Sequence, residues 1–120
     1  MSNYKKIDDV VFPASDLSAN KAFFTQVFGW VFTDYGTEYA AFTNAGLEDG
    51  FFLSYQTVSN DNGSALLVFY SDDLEQTQAD ILSAGGSVLK PIFAFLGGWR
   101  CYFANPKGNK YAIGRTVVTE

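Results

Sequence analysis

Val11-Phe12-Pro13-Ala14-Ser15-Asp16-Leu17 decides the fold, because its pattern returns as Val68-Phe69-Tyr70-Ser71-Asp72-Asp73-Leu74. Each copy is an apolar extended run that breaks at small and acidic residues and passes into a helical pattern. Self-similarity at a fixed spacing marks one supersecondary unit used twice. Working outward, Phe24 falls on Ile81, Gly29 on Gly86, Val31 on Val88 and Phe32 on Leu89. Further along, Phe42-Thr43-Asn44-Ala45-Gly46 is answered by Phe103-Ala104-Asn105-Pro106-Lys107-Gly108, each a strand running into a turn with Asn and Gly where a hairpin demands them. The repeat therefore predicts a single domain over 1–120 made of two modules, about 5–58 and about 64–118.

Local chemistry assigns the elements. Val10 to Phe12 and Leu66 to Tyr70 are rich in β-branched, aromatic and leucine side chains, as buried strands are. Asp16 or Ser18 can cap the first helix and Asp72 or Asp73 the second. The stripe Leu17, Phe24, Val27 and Phe28 faces one core, and Leu74, Gln78, Ile81 and Leu82 face the other. Gly29 and the Gly85-Gly86 pair let each helix exit through a left-handed residue, after which Trp30 to Tyr35 and Ser87 to Leu89 read as strands. Each half is thus βαβββ. One helix shields only one side of a four-stranded sheet, so two halves or two subunits must meet. The expected architecture is α+β, a curved mixed sheet around a cleft.

Composition narrows the function. The 120 residues are 48% hydrophobic and 18% aromatic, including 12 Phe and 7 Tyr, enough to fill a core or to line a cavity. A net charge of −5 with scattered basic residues argues against nucleic acid, whose phosphates need clustered Lys and Arg. Apolar runs are short and the N-terminus leads into none, so neither a membrane span nor a signal peptide is expected and a cytoplasmic location is. Cys101, the one cysteine, has no disulfide partner within the chain and is expected to be buried and inert. The absence of His removes imidazole-based triads and the usual nitrogen ligand of transition metals. Asp8-Asp9 and Asp72-Asp73 are isolated pairs, not a cation-binding loop.

Phe12-Pro13-Ala14-Ser15-Asp16-Leu17 followed by Phe23-Phe24 and Val27-Phe28-Gly29-Trp30 resembles the opening of glyoxalase-like proteins. Gly85-Gly86-Ser87-Val88-Leu89-Lys90-Pro91, then Gly97-Gly98-Trp99-Arg100-Cys101-Tyr102-Phe103-Ala104-Asn105-Pro106-Lys107-Gly108-Asn109, resembles their second half. There Asn105-Pro106-Lys107-Gly108-Asn109 replaces a common Asp-Pro-Asp-Gly-Asn turn. The resemblance is to the vicinal oxygen chelate class, the glyoxalase, bleomycin-resistance and dioxygenase group. It implies a divalent ion held by four side chains, one from the first and one from the last strand of each half. Carried over, those positions are Asp9, Leu66, Phe52 and Ala112, a set unable to hold a cation; hence no metal and no cofactor are expected.

The resemblance also places a substrate-contacting tyrosine of the fosfomycin-resistance type at Tyr102. Strand alternation then sends Arg100 inward and Trp99, Cys101 and Phe103 toward the helix. By the same rule Lys110, Ala112 and Gly114 point inward, as do Leu66, Val68 and Tyr70, and Phe52 with Ser54. Arg100 clamps a carboxylate or phosphate, pairs with Asp9, or sits solvated at the rim. Asp9 is either a desolvated general base or a solvated carboxylate. The apolar stretch Pro91 to Gly98 reads as a flap over the cleft or as a dimer contact.

Two functions follow. The first is a metal-independent small-molecule-binding protein of the bleomycin-resistance type, a homodimer in which Asp9, Phe52, Ser54, Leu66, Tyr70, Arg100, Tyr102 and Ala112 line the site. The acidic net charge favours a cationic ligand for it. The second is a metal-free lyase or isomerase using Asp9, Arg100 and Tyr102. A degenerate domain serving only as an interaction partner is a third.

Overall fold

A computed structural model describes residues 4–6, 10–46, 49–54 and 59–116. Contacts divide the chain into two units, Met1–Tyr55 and Gln56–Glu120. The first contains β1 (Val11–Ala14), α1 (Leu17–Phe28), β2 (Val31–Asp34), β3 (Tyr39–Thr43) and β4 (Asp49–Leu53). The second, after a short 3-10 turn at Asn60–Asn62, contains β5 (Val68–Tyr70), α2 (Leu74–Ser83), β6 (Ser87–Phe95), β7 (Gly98–Ala104) and β8 (Lys110–Thr116). The α+β class and the two βαβββ modules expected from the repeat are observed. Strand order is β1-β4-β3-β2 in one sheet and β5-β8-β7-β6 in the other. In each, the first and last strands pair in parallel and the rest antiparallel.

Short side chains fix where the helices begin and end. Asp16 accepts from the Ala19 amide at 3.0 Å and Asp73 from the Gln76 amide at 3.1 Å, which settles both capping alternatives. Gly29 leaves α1 at φ 72°, and Gly85 follows α2 at φ 87°. Those left-handed residues let the Trp30 amide return to the Phe24 carbonyl at 3.3 Å and the Gly86 amide to that of Ile81 at 2.9 Å. The closing turn of the second module is held by Asn105, whose side-chain oxygen accepts from the Lys107 and Asn109 amides at 3.1 and 3.0 Å.

Aromatic side chains build the first core. Phe24 stacks on Trp30 with ring centroids 4.7 Å apart and on Phe51 at 5.5 Å, while Phe42 meets Trp30 at 4.7 Å and Phe51 at 5.3 Å. Of the two uses open to the aromatics, these rings take the core-filling one. Burying a ring of this size stabilises by about 1.5–3 kcal/mol, so the cluster dominates the module. The buried face of α1 centres on Asn20, Phe23 and Phe24. In the second module Ile81, Cys101, Phe103, Tyr111 and Ile113 are fully buried. Leu82, expected on the buried stripe of α2, is instead 52% exposed, because Leu74 and Ile81 already cover the sheet.

The segment from Pro91 onward is not a flap. It continues β6 to Phe95, paired with β7 from Val88 opposite Phe103 to Phe95 opposite Gly98, with irregularities at Lys90 and before Phe93. β6 is an edge strand, where a proline without an amide hydrogen is tolerated. Among the described residues, no helix is long and apolar enough to cross a membrane.

Candidate functional site

β7 separates two chemistries. Cys101 and Phe103 face α2; the Cys101 thiol is fully buried, 3.5 Å from the Gln78 side-chain oxygen, and burial pushes its pKa up. Arg100 and Tyr102 project from the opposite face, as alternation requires. Register puts Tyr102 beside Ala112 on β8 and Lys90 on β6, and Arg100 beside Gly114 and Phe93. Each cation on this face rests on a ring. Lys90 Nζ is 4.1 Å from the Phe93 centroid, Arg100 Cζ 4.6 Å from that of Phe95, and Lys110 Nζ 4.7 Å from that of Tyr102. Phe93 and Tyr102 meet at 5.3 Å between centroids. Lys110 also pairs with Asp61 at 3.2 Å. Arg100 Nε is buried with no hydrogen-bond partner.

Of the positions that the family resemblance assigns to a metal, Asp9 lies outside the described residues, as does Asp8. Leu66 is half-buried just ahead of β5, and Ala112 is fully buried, its amide donating to the Leu67 carbonyl at 2.9 Å. The parallel pairings refine the fourth position. Val68 lies opposite Ala112 and its repeat mate Val11 opposite Gly50, so Gly50, and not Phe52, is the equivalent of Ala112. Phe52 projects from the same face and is 39% exposed. A Cβ added at Gly50 would collide with the Tyr39 ring and the Ala40 carbonyl. Tyr39 therefore occupies the space that a ligating side chain would need. Leu66, Ala112, Gly50 and Phe52 offer no oxygen, nitrogen or sulfur donor on a side chain, and this set does not fit a divalent ion. Among the described residues no three His, Cys, Asp or Glu gather at one place.

The remaining expected site residues divide. Val68 and Tyr70 share the face of Arg100; Val68 is 43% and Tyr70 63% exposed. The Tyr70 hydroxyl donates to Asp72 at 2.6 Å, and this bond to a carboxylate is the main reason that the phenol's pKa is raised. It is thus engaged away from the open face. Ser54 continues β4, its amide donating to the Ala14 carbonyl at 2.8 Å. Trp99 turns to the helix side, where it lines a concavity of about 340 Å³ with Asp72, Asp73, Glu75 and Arg115. Lys90, Phe93 and Phe95 share the face of Arg100 and Tyr102 and were not among the residues expected there. Their signal was the length of the apolar run past Pro91, which belongs to a strand and not to a loop.

The model of the Glyoxalase/Bleomycin resistance protein/Dioxygenase superfamily matches residues 6–113. No curated protein sequence gives a match. Solved structures that match include a glyoxalase/bleomycin resistance protein/dioxygenase family enzyme from Burkholderia phytofirmans PsJN, with a TM-score of 0.74 at 17% identity over 92% of this chain and 100% of that one. The fosfomycin resistance protein FosX from Listeria monocytogenes gives 0.71 at 18% identity over 95% of each chain. TioX from Micromonospora sp. ML1 gives 0.65 at 17% identity over 96% of this chain and 99% of that one. At these identities the likeness shows the fold alone.

Proposed function

Because this chain belongs to the glyoxalase/bleomycin resistance protein/dioxygenase superfamily, we propose that it is a metal-independent protein that binds a small organic molecule on an aromatic surface. The observation that carries this reading is the donor chemistry of the last-strand positions. Ala112 has only a methyl group, and a Cβ at Gly50 would meet both the Tyr39 ring and the Ala40 carbonyl. On the same face as Ala112, the second module carries Phe93, Phe95 and Tyr102, each with a cation over its ring, a surface suited to a small organic ligand. That FosX, a fosfomycin resistance protein, uses the same fold supports a small molecule as the occupant.

A melting-temperature scan tests the reading, since a ligand selective for the folded state stabilises it by about 2.7 kcal/mol at a hundred times its Kd. The protein is expected to melt at the same temperature with Mg²⁺, Mn²⁺, Zn²⁺ or chelator, and higher with an aromatic metabolite. A stabilising divalent ion, reversed by chelator, defeats the proposal. The second reading, a metal-free lyase or isomerase using Asp9, Arg100 and Tyr102, is favoured by one observation: Arg100 and Tyr102 project from the same face of β7. Turnover abolished by Tyr102→Phe while binding persists would establish it. A homodimer is part of both readings and is supported by exposed Leu89 and Phe95 on the edge strand β6 and by Leu96 just after it.

A further inference from the structure

We infer that the open face of the second module takes an aromatic carboxylate, with Arg100 as its anion clamp and Lys90 and Lys110 as flanking charges. The inference rests on the small-molecule reading above and names its ligand class. It runs against the acidic net charge, which by itself favours a cation. Charge on this face is distributed otherwise. Three of the chain's eight basic residues lie around Tyr102: Lys90 across from it on β6, Lys110 over its ring from β8, and Arg100 beside it along β7. Among the described residues the one carboxylate paired with any of the three is Asp61, itself 74% exposed and shared between Lys110 and the Ser59 hydroxyl. A carboxylate in water screens weakly, so a net positive field remains over the face.

Arg100 carries the specificity. Its guanidinium lies on the Phe95 ring, and its Nε is buried without an acceptor. A buried donor left unbonded is a free-energy cost that an arriving acceptor removes. The planar fork of Arg matches a carboxylate with two parallel hydrogen bonds, whereas the lysines act as point charges. Gly114, which has no side chain, lies directly across from Arg100 on β8, and a Cβ there would stand 3.2 Å from the Trp99 carbonyl and 3.9 Å from Nε. Phe93 and Tyr102, with centroids 5.3 Å apart and planes tilted by 58°, supply an apolar wall against which a ligand ring packs between the charges. Adjacent strands are about 4.8 Å apart, so the three cations surround an area fit for one or two fused rings and not for a polymer.

Calorimetric titration of the full chain with 2-naphthoate and with its neutral isostere 2-naphthamide tests this. The acid is expected to bind about tenfold or more tightly than the amide, and the advantage to shrink as salt is added. Arg100→Gln should remove most of the advantage, Arg100→Lys should restore only part of it, and Lys21→Gln in the first module should leave it intact, each variant melting within a few degrees of the parent. Equal binding of acid and amide, or an advantage untouched by Arg100→Gln, overturns the carboxylate inference and leaves the small-molecule reading standing. Absence of naphthoate binding also overturns it. The small-molecule reading itself falls separately, on stabilisation by a divalent ion.

Discussion

Gly50→Ala should destabilise the protein by about 3 kcal/mol, near the upper end of what overpacking costs. The added methyl group would sit 2.6 Å from the Ala40 carbonyl oxygen and against the Tyr39 ring, inside the 3.0 Å that real Cβ atoms keep. The ring can swing away from such a clash; the carbonyl cannot, because Ala40 is paired with Phe51 in the centre of the sheet. Phe51 in turn is packed against Phe24 and Phe42, so a shift of β4 spreads into the aromatic core. Urea unfolding followed by tryptophan fluorescence would show the midpoint falling with an unchanged slope, since slope reports the surface exposed and midpoint the stability. Tyr39→Ala added to Gly50→Ala should recover part of the loss but not all, because the carbonyl contact stays. A loss below about 1 kcal/mol for Gly50→Ala would refute the claim that this position has no room for a ligating side chain.

Native Cys101 should resist a thiol reagent at pH 8 and react at once in urea, because burial raises its pKa and keeps it protonated; fast native modification would contradict its placement beneath α2. The sign follows: protonated Cys101 contributes stability fully below its ordinary pKa, lost as pH rises through the raised folded value. Tyr70 behaves alike at more alkaline pH, since its bond to Asp72 raises its pKa; ultraviolet titration should show a late-ionising phenol that Tyr70→Phe removes. Asp16→Ala and Asp73→Ala should each cost about 1 kcal/mol in urea unfolding, the usual worth of an N-cap, and neutral values would refute the caps.

The site was legible in part. Arg100 and Tyr102 could be placed on one face because the family resemblance turned Tyr102 inward and side chains alternate along a strand. Lys90, Phe93 and Phe95 could not, because Pro91 and the glycines after it suggested a loop. Only pairing with β7 showed that an edge strand accommodates the proline. Phe52 was placed two positions off for a related reason: its stretch has no unique turn ahead of it, so register had to come from β1.

The sequence by itself determined the plan of the molecule: two copies of one βαβββ unit, their caps and glycine exits, and the lack of imidazole. These are local matters, written in spacing and in the conformations that single residues allow. What only the tertiary structure decided was the partner of each residue across strands. Gly50 against Tyr39, Arg100 against Phe95 and Lys110 against Tyr102 are contacts between strands whose register no local preference sets. Hydrogen bonding between neighbouring strands fixes that register, and with it the charge of the open face.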